Sequence, residues 1–255
     1  MRATALRFVP AEVGPPTLST MPTSAHGDRR FDPAKLAALD EPVRRYLTHA
    51  ITPGARLSDT VRLRMSGRIK VGPWLAFTAE QDFAGHAFAW RARAGWGSFK
   101  PLHVVDRYSD AAGGTEGRLF GRLRFLHAQD DDTTRAAAGR AAVESIWVPA
   151  SLLPERGVTW KAESPTVIVA RLSVPPEEPE VRLEIDEAGA VSTVSVQRWG
   201  KVGQKAFGYI PFGGSVQDER RFGDLVLPSR ITVGWWFGTP RFQPFFEATI
   251  HEIAA

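Results

Sequence analysis

Cysteine is absent from the 255 residues. That excludes disulfide staples, zinc–thiolate sites, iron–sulfur clusters and a thiol nucleophile. Long apolar runs are absent too: no stretch approaches the roughly 20 consecutive apolar residues that a spanning helix needs. Neither sign of charge dominates, since 32 Lys+Arg face 28 Asp+Glu for a formal net charge of +4. There is no basic run, and the one acidic run, Asp130-Asp131-Asp132, immediately precedes a helix-like segment. A G-x-S-x-G elbow, a Walker loop and a helix-opening G-x-G-x-x-G are all missing. The six histidines (26, 49, 86, 103, 127 and 251) lack the close spacing of a helical metal pair. No metal and no other cofactor is therefore expected.

The N-terminus offers little to a secretion apparatus. The apolar stretch Ala3–Val9 contains Arg7 and is cut by Pro10, too short and too polar for a signal. A cytoplasmic location is the expectation. Residues 1–30 read as a flexible proline-rich leader, with Met21 as an alternative start, and residues 31–255 as one β domain without internal repeats.

Within that domain the hydrophobic period changes. Asp32-Pro33 caps a short helix to about Leu39; Asp40 restarts a second one to about Ala50. From Val61 onward the period is 2, as in Val61/Leu63/Met65, Leu75/Phe77/Ala79/Gln81, Phe88/Trp90/Ala92 and Leu119/Gly121/Leu123/Phe125. One helix interrupts, Ala136–Trp147, capped at Asp132 or Thr133, with Val143, Ile146, Trp147 and Ala150 on one face. Strands resume from Val158 to Ile253, with Glu187-Ala188-Gly189 as a turn. About eleven strands and three or four helices result. The fold class is mainly β (α+β): a large curved antiparallel sheet, a half-barrel, with N-terminal helices and the Ala136–Trp147 helix plugging its concavity.

Four stretches carry a resemblance. They are Leu39-x-x-Pro42-Val43-Arg44-Arg45-Tyr46-Leu47, the strand pair from Trp74 through Gln81 to Phe88-x-Trp90, Glu144-x-x-Trp147-x-Pro149-x-x-Leu152-Leu153-Pro154, and Phe222-Gly223-x-Leu225-x-Leu227-Pro228. Together they resemble an uncharacterised bacterial family known as a domain of unknown function. The last hairpin also resembles one in the periplasmic lipoprotein carriers of the LolA/LolB type. That likeness implies an unclosed half-barrel around a greasy cavity; it implies neither lipoprotein transport nor any particular ligand contact.

Eight tryptophans and fifteen phenylalanines leave rings to spare for a cavity wall. Trp90, Phe88, Gln81, Trp147, Trp235 and Phe237 are the expected ligand-binding residues. The dense stretch Trp235–Phe246 reads as an edge or loop, either closing the cavity or exposed. Glu144, on the plugging helix, is either a general acid/base or half of an ion pair with an arginine such as Arg140. Asp106 and Tyr108 share a strand face and would assist it, while His103 points the other way. The pairs Gly113-Gly114 and Gly213-Gly214 read as turn glycines. Arg62, Arg64, Arg68, Arg91, Arg93, Arg118, Arg122 and Arg124 recur on polar strand faces. They read as a solvated outer face or as a weak contact for an anionic membrane surface, and without interleaved stacking aromatics they do not suggest nucleic acid.

Two functions fit this pattern. The first is non-catalytic binding of a lipid or other apolar small molecule in the half-barrel. The alternative is a cavity-type enzyme, a cyclase or isomerase, using Glu144 with Asp106 and Tyr108 as catalytic groups.

Overall fold

The computed structural model describes residues 29–254. The expected leader lies outside the described residues except for Arg29 and Arg30. Those two already belong to the fold: the Leu57 N–H donates to the Arg29 carbonyl, and Arg30 bridges to Arg56.

Local chemistry sets the helical entry much as expected. Asp32 caps a 3-10 turn, Pro33–Leu36, by accepting the Ala34 N–H at 2.9 Å. Helix α1 (Glu41–Ala50) then starts after Asp40, with Pro42 in its first turn where a missing N–H is harmless. Asp40 makes no capping bond; its carboxylate accepts the N–H of Ala162, a residue of a distant strand, at 2.9 Å. Val43, Tyr46, Leu47 and Ala50 form the buried stripe of α1.

The rest is one thirteen-stranded antiparallel sheet, curved and unclosed. Six strands come first: β1 (Thr60–Lys70), β2 (Trp74–Ala84), β3 (Ala87–Trp96), β4 (Phe99–Ser109), β5 (Ala112–Leu119) and β6 (Leu123–Ala128). Seven follow: β7 (Thr159–Ser164), β8 (Val167–Arg171), β9 (Glu180–Ile185), β10 (Val191–Gly200), β11 (Gly208–Phe222), β12 (Leu225–Trp235) and β13 (Gln243–Ala254). Each group is a meander of neighbours, and the two groups join at a single seam where β1 pairs with β13. The spatial order runs from β6 at one edge, inward to β1, across the seam to β13, and out to β7.

The segment between the meanders carries helix α2 (Asp131–Val143), followed by 3-10 turns at Glu144–Trp147 and Pro149–Leu152. The α2 helix packs against β10 on one arm and against β5 and β4 on the other, so it bridges the concavity. Close approach explains two glycines: a Cβ on Gly113 of β5 would lie 2.7 Å from the Ala137 Cβ, and one on Gly139 of α2 would lie 2.9 Å from Arg198 Cγ. Gly113 is therefore a strand residue, not a turn glycine.

Three expected boundaries change. The cap of α2 is Asp130, which accepts the Thr133 N–H at 2.7 Å, and the α-helix stops at Val143 rather than Trp147. The strand expected over Leu119–Phe125 is two strands with a tight turn between them, closed by the Arg122 N–H on the Leu119 carbonyl at 3.1 Å. Pro228 lies inside a single strand, β12, with a register shift beside the proline's partner Glu219.

Candidate functional site

Inward-facing positions of the strands supply most of the core, but between the sheet and α2 they leave a cavity of about 300 Å³. Its floor is a band of rings running across the seam. Trp90 of β3 meets Phe246 of β13 at 6.2 Å, Phe246 meets Phe245 at 6.5 Å, and Phe245 meets Phe212 of β11 at 6.2 Å. Phe212 in turn meets Trp235 of β12 at 4.9 Å. These centroid separations are those of edge-to-face and tilted aromatic packing. Val143, Ile146 and Trp147 form the roof, and the Trp147 indole N–H is satisfied by the Pro228 carbonyl at 3.0 Å. Gly213 and Gly214 also line the cavity. They sit in β11, where a Cβ on either would lie 2.2 Å from a carbonyl oxygen of the next strand. The expected turn glycines are thus what lets a strand bend tightly along the cavity wall.

Four charged groups interrupt this apolar lining: Asp106, Arg140, Glu144 and Arg198. Arg140 on α2 is bound by both acids, through Nη1 to Asp106 at 2.5 Å and through Nε to Glu144 at 2.8 Å. The remaining carboxylate oxygens are taken as well. Thr115 donates to Asp106 at 2.8 Å and Gln81 to Glu144 at 2.6 Å. The Arg140 guanidinium also lies over Phe88 and Trp90, at 4.7 and 5.2 Å from the ring centroids. Burial alone would lower its pKa; Glu144 and Asp106 outweigh that and hold it above the ordinary arginine value.

Arg198 on β10 is the exception. Its Nε donates to the Ala136 carbonyl of α2 at 2.9 Å, and its guanidinium stacks near Phe212 and Trp235, at 4.5 and 5.1 Å. Among the described residues no carboxylate forms a salt bridge with it. Burial first, and then the charge of Arg140, push its pKa down to about 10, so it remains a cation at neutral pH. Among the described residues its terminal nitrogens are the one set of charged donors on the cavity wall with no salt-bridge partner.

The expected site residues divide. The structure brings Trp90, Trp147, Trp235, Glu144 and Asp106 onto one cavity wall. Gln81 and Phe88 lie one layer behind, fully buried, Gln81 holding Glu144 and Phe88 lying under Arg140. Tyr108 shares a strand face with Asp106, yet its hydroxyl is turned to the Pro175 carbonyl and away from the cavity. Phe237 packs on Phe242 in the β12–β13 turn, 5.4 Å apart, and does not line the cavity. Glu144 meets both halves of its expectation: it borders the cavity and is paired with Arg140. Phe245 and Phe246, from the dense aromatic stretch ending at Phe246, line the cavity floor with Phe212, whereas Arg198 is a cavity residue that sequence reasoning did not single out. Among the described residues no group of three or more potential ligands is placed to hold a metal ion.

The outward arginines are mostly neutralised. Arg62 and Arg91 share Asp82, Arg64 bonds Glu80 and Glu252, Arg68 bonds Glu247, and Arg118 bonds Glu116. Over β1, β2, β3 and β13 the convex sheet is mostly a lattice of paired charges, while Arg93, Arg122 and Arg124 form no salt bridge among the described residues.

No helix among the described residues is long and apolar enough to cross a membrane. A search of curated proteins finds no match. Among solved structures, the crystal structure of a DUF1329 family protein from Desulfovibrio piger aligns over 88% of this chain and 93% of its own, at 10% identity and a TM-score of 0.40. A family described as "Family of unknown function (DUF6920)" matches residues 37–254, which include the whole cavity wall, and the chain belongs to that family.

Proposed function

We propose that the protein binds a lipid or other apolar small molecule carrying one anionic group, and that it does so without chemical change. The apolar body lies on the ring floor beneath α2, and the anion meets Arg198. The observation that carries this reading is the Arg198 guanidinium, which forms no salt bridge among the described residues on a mostly apolar wall whose other charges, Asp106, Arg140 and Glu144, are bonded to one another. A cavity of about 300 Å³ is at the lower end of the range for small-molecule sites, whose linings are mostly apolar with a few placed polar groups. Asp106 and Glu144 support a binding role rather than proton transfer, because both oxygens of each are already engaged. An apolar cavity under a helix is also what the likeness to the LolA/LolB carriers implies, and the proposal takes nothing further from that likeness.

The test is a titration with a fluorescent fatty acid and with its uncharged methyl ester. A charge-assisted hydrogen bond in a dry site is worth enough to favour the acid by about tenfold or more. Arg198→Met should erase that preference while leaving ester binding in place. Failure of both probes to bind, with no ligand carried through native mass spectrometry, would overturn the proposal.

A further inference from the structure

A second feature lies at the sheet's β6 edge and owes nothing to the cavity. Ten large apolar side chains are exposed among the described residues, and six of them belong to two adjacent segments. Trp96 (59% exposed) and Phe99 (58%) flank the β3–β4 turn; Phe120 (58%), Leu123 (66%), Phe125 (54%) and Leu126 (40%) belong to the β5–β6 hairpin. The two segments touch: the Phe120 N–H donates to the Pro101 carbonyl at 2.7 Å, and the Phe99 and Phe120 rings lie 6.2 Å apart. Scattered exposed hydrophobics need no explanation, but a contiguous cluster of rings does.

Charge says what the cluster fits. Trp96–Lys100 and Leu119–Phe125 contain Lys100, Arg122 and Arg124 and no acid. None of the three forms a salt bridge among the described residues, in contrast to the carboxylate-matched arginines of the convex face. On the convex side of the same hairpin a groove of about 340 Å³ is lined by His103, Arg107, Arg118 and His127 around a single carboxylate, Glu116. Rings and leucine at the apex, cations outside any salt bridge around them and a groove behind with more basic groups than acids suit an interface of apolar chains beneath anionic headgroups.

The backbone adds an independent sign. Phe120 has φ +53° and Gly121 φ +69°. Such a turn favours Asn or Gly at its first central position, and a bulky ring there is unfavourable for folding. The ring nonetheless stands there, exposed.

We infer that the β3–β4 turn and the β5–β6 hairpin form a docking surface for an anionic lipid bilayer. Phe99, Phe120 and Leu123 enter the headgroup layer, while Lys100, Arg122 and Arg124 meet lipid phosphates. Binding is peripheral and weakens with salt. Ligand capture in the cavity does not depend on it.

Co-sedimentation of the full chain with phosphatidylcholine vesicles, with and without phosphatidylglycerol, tests this. The anionic vesicles should bind about tenfold or more tightly than the neutral ones at low salt. Lys100→Glu with Arg122→Glu should remove that difference. Phe120→Asn should weaken vesicle binding severalfold while leaving the thermal midpoint unchanged or higher, a combination that a purely structural role for the ring would not produce. Equal binding to both vesicle types, no binding to either, or wild-type binding by these variants would overturn the inference. So would concentration-dependent dimerisation abolished by Phe120→Asn, which would make a second copy the occupant. Tighter binding of a single-stranded oligonucleotide, lost in the same charge variants, would also overturn it.

Discussion

Arg198 occupies an inward position of β10, in step with Val194 and Val196, both of which are buried. A cation where alternation demands an apolar side chain is a signal present in the sequence alone. Gln81 and Asp106 show the same signature, polar groups at inward positions of β2 and β4. At this scale burial also shapes the response to acid. His86, in the β2–β3 turn, is 3.2 Å from the Ser145 hydroxyl, and burial holds its pKa below the ordinary 6.5. The unfolded chain therefore takes up a proton at a pH where the folded chain does not. Stability is lost as pH falls from the unfolded value toward the lower folded one, and the loss is complete below both. In thermal melts from about pH 7.5 down to about pH 5, His86→Gln should flatten part of that decline. An unaltered slope would mean that the imidazole titrates as a solvated one.

Elements were legible wherever period and punctuation agreed. The inward face of β2 and the short helices capped at Asp32 and begun after Asp40 stand where alternation and proline placed them. The β5–β6 hairpin was hidden because Leu119-Phe-Gly-Arg-Leu-Arg-Phe125 alternates like a strand, and its turn holds phenylalanine where asparagine would announce it. The end of α2 was hidden for another reason. Trp147 has to reach the Pro228 carbonyl, and a tertiary bond of that kind leaves no local mark. Gly139 shows how local and global preferences part. In an isolated helix alanine would be favoured there by about 1 kcal/mol, but a Cβ would press on the Arg198 side chain. Gly139→Val should destabilise the fold by about 1–3 kcal/mol in urea titrations. Gly139→Ala should leave stability close to wild type while displacing Arg198, seen as a loss of the fatty-acid preference with ester binding retained. Retention of that preference in the alanine variant would separate α2 packing from ligand charge recognition.

At the scale of the whole molecule, two meanders are held as one sheet by the β1–β13 ladder and by α2 spanning the concavity. The ring floor crosses that seam through Phe245 and Phe246, so the cavity exists only when the arms are joined. A chain lacking Gln243–Ala254 should lose the floor and the ladder together. It should melt over a broad range without the single sharp transition of the full chain, as circular dichroism would record. A sharp transition in the truncated chain would show that the first meander and α2 carry their own cooperative unit.

The same seam sets a schedule for synthesis. Arg62 pairs with Ala254 and Ile69 with Phe246, so β1 leaves the ribosome long before its outer partner. The first meander can assemble strand by strand as it emerges, but β1 must travel with an open edge until β13 is free. Completion therefore waits for β13, and the interval is the period in which that edge is available to wrong partners or to a chaperone.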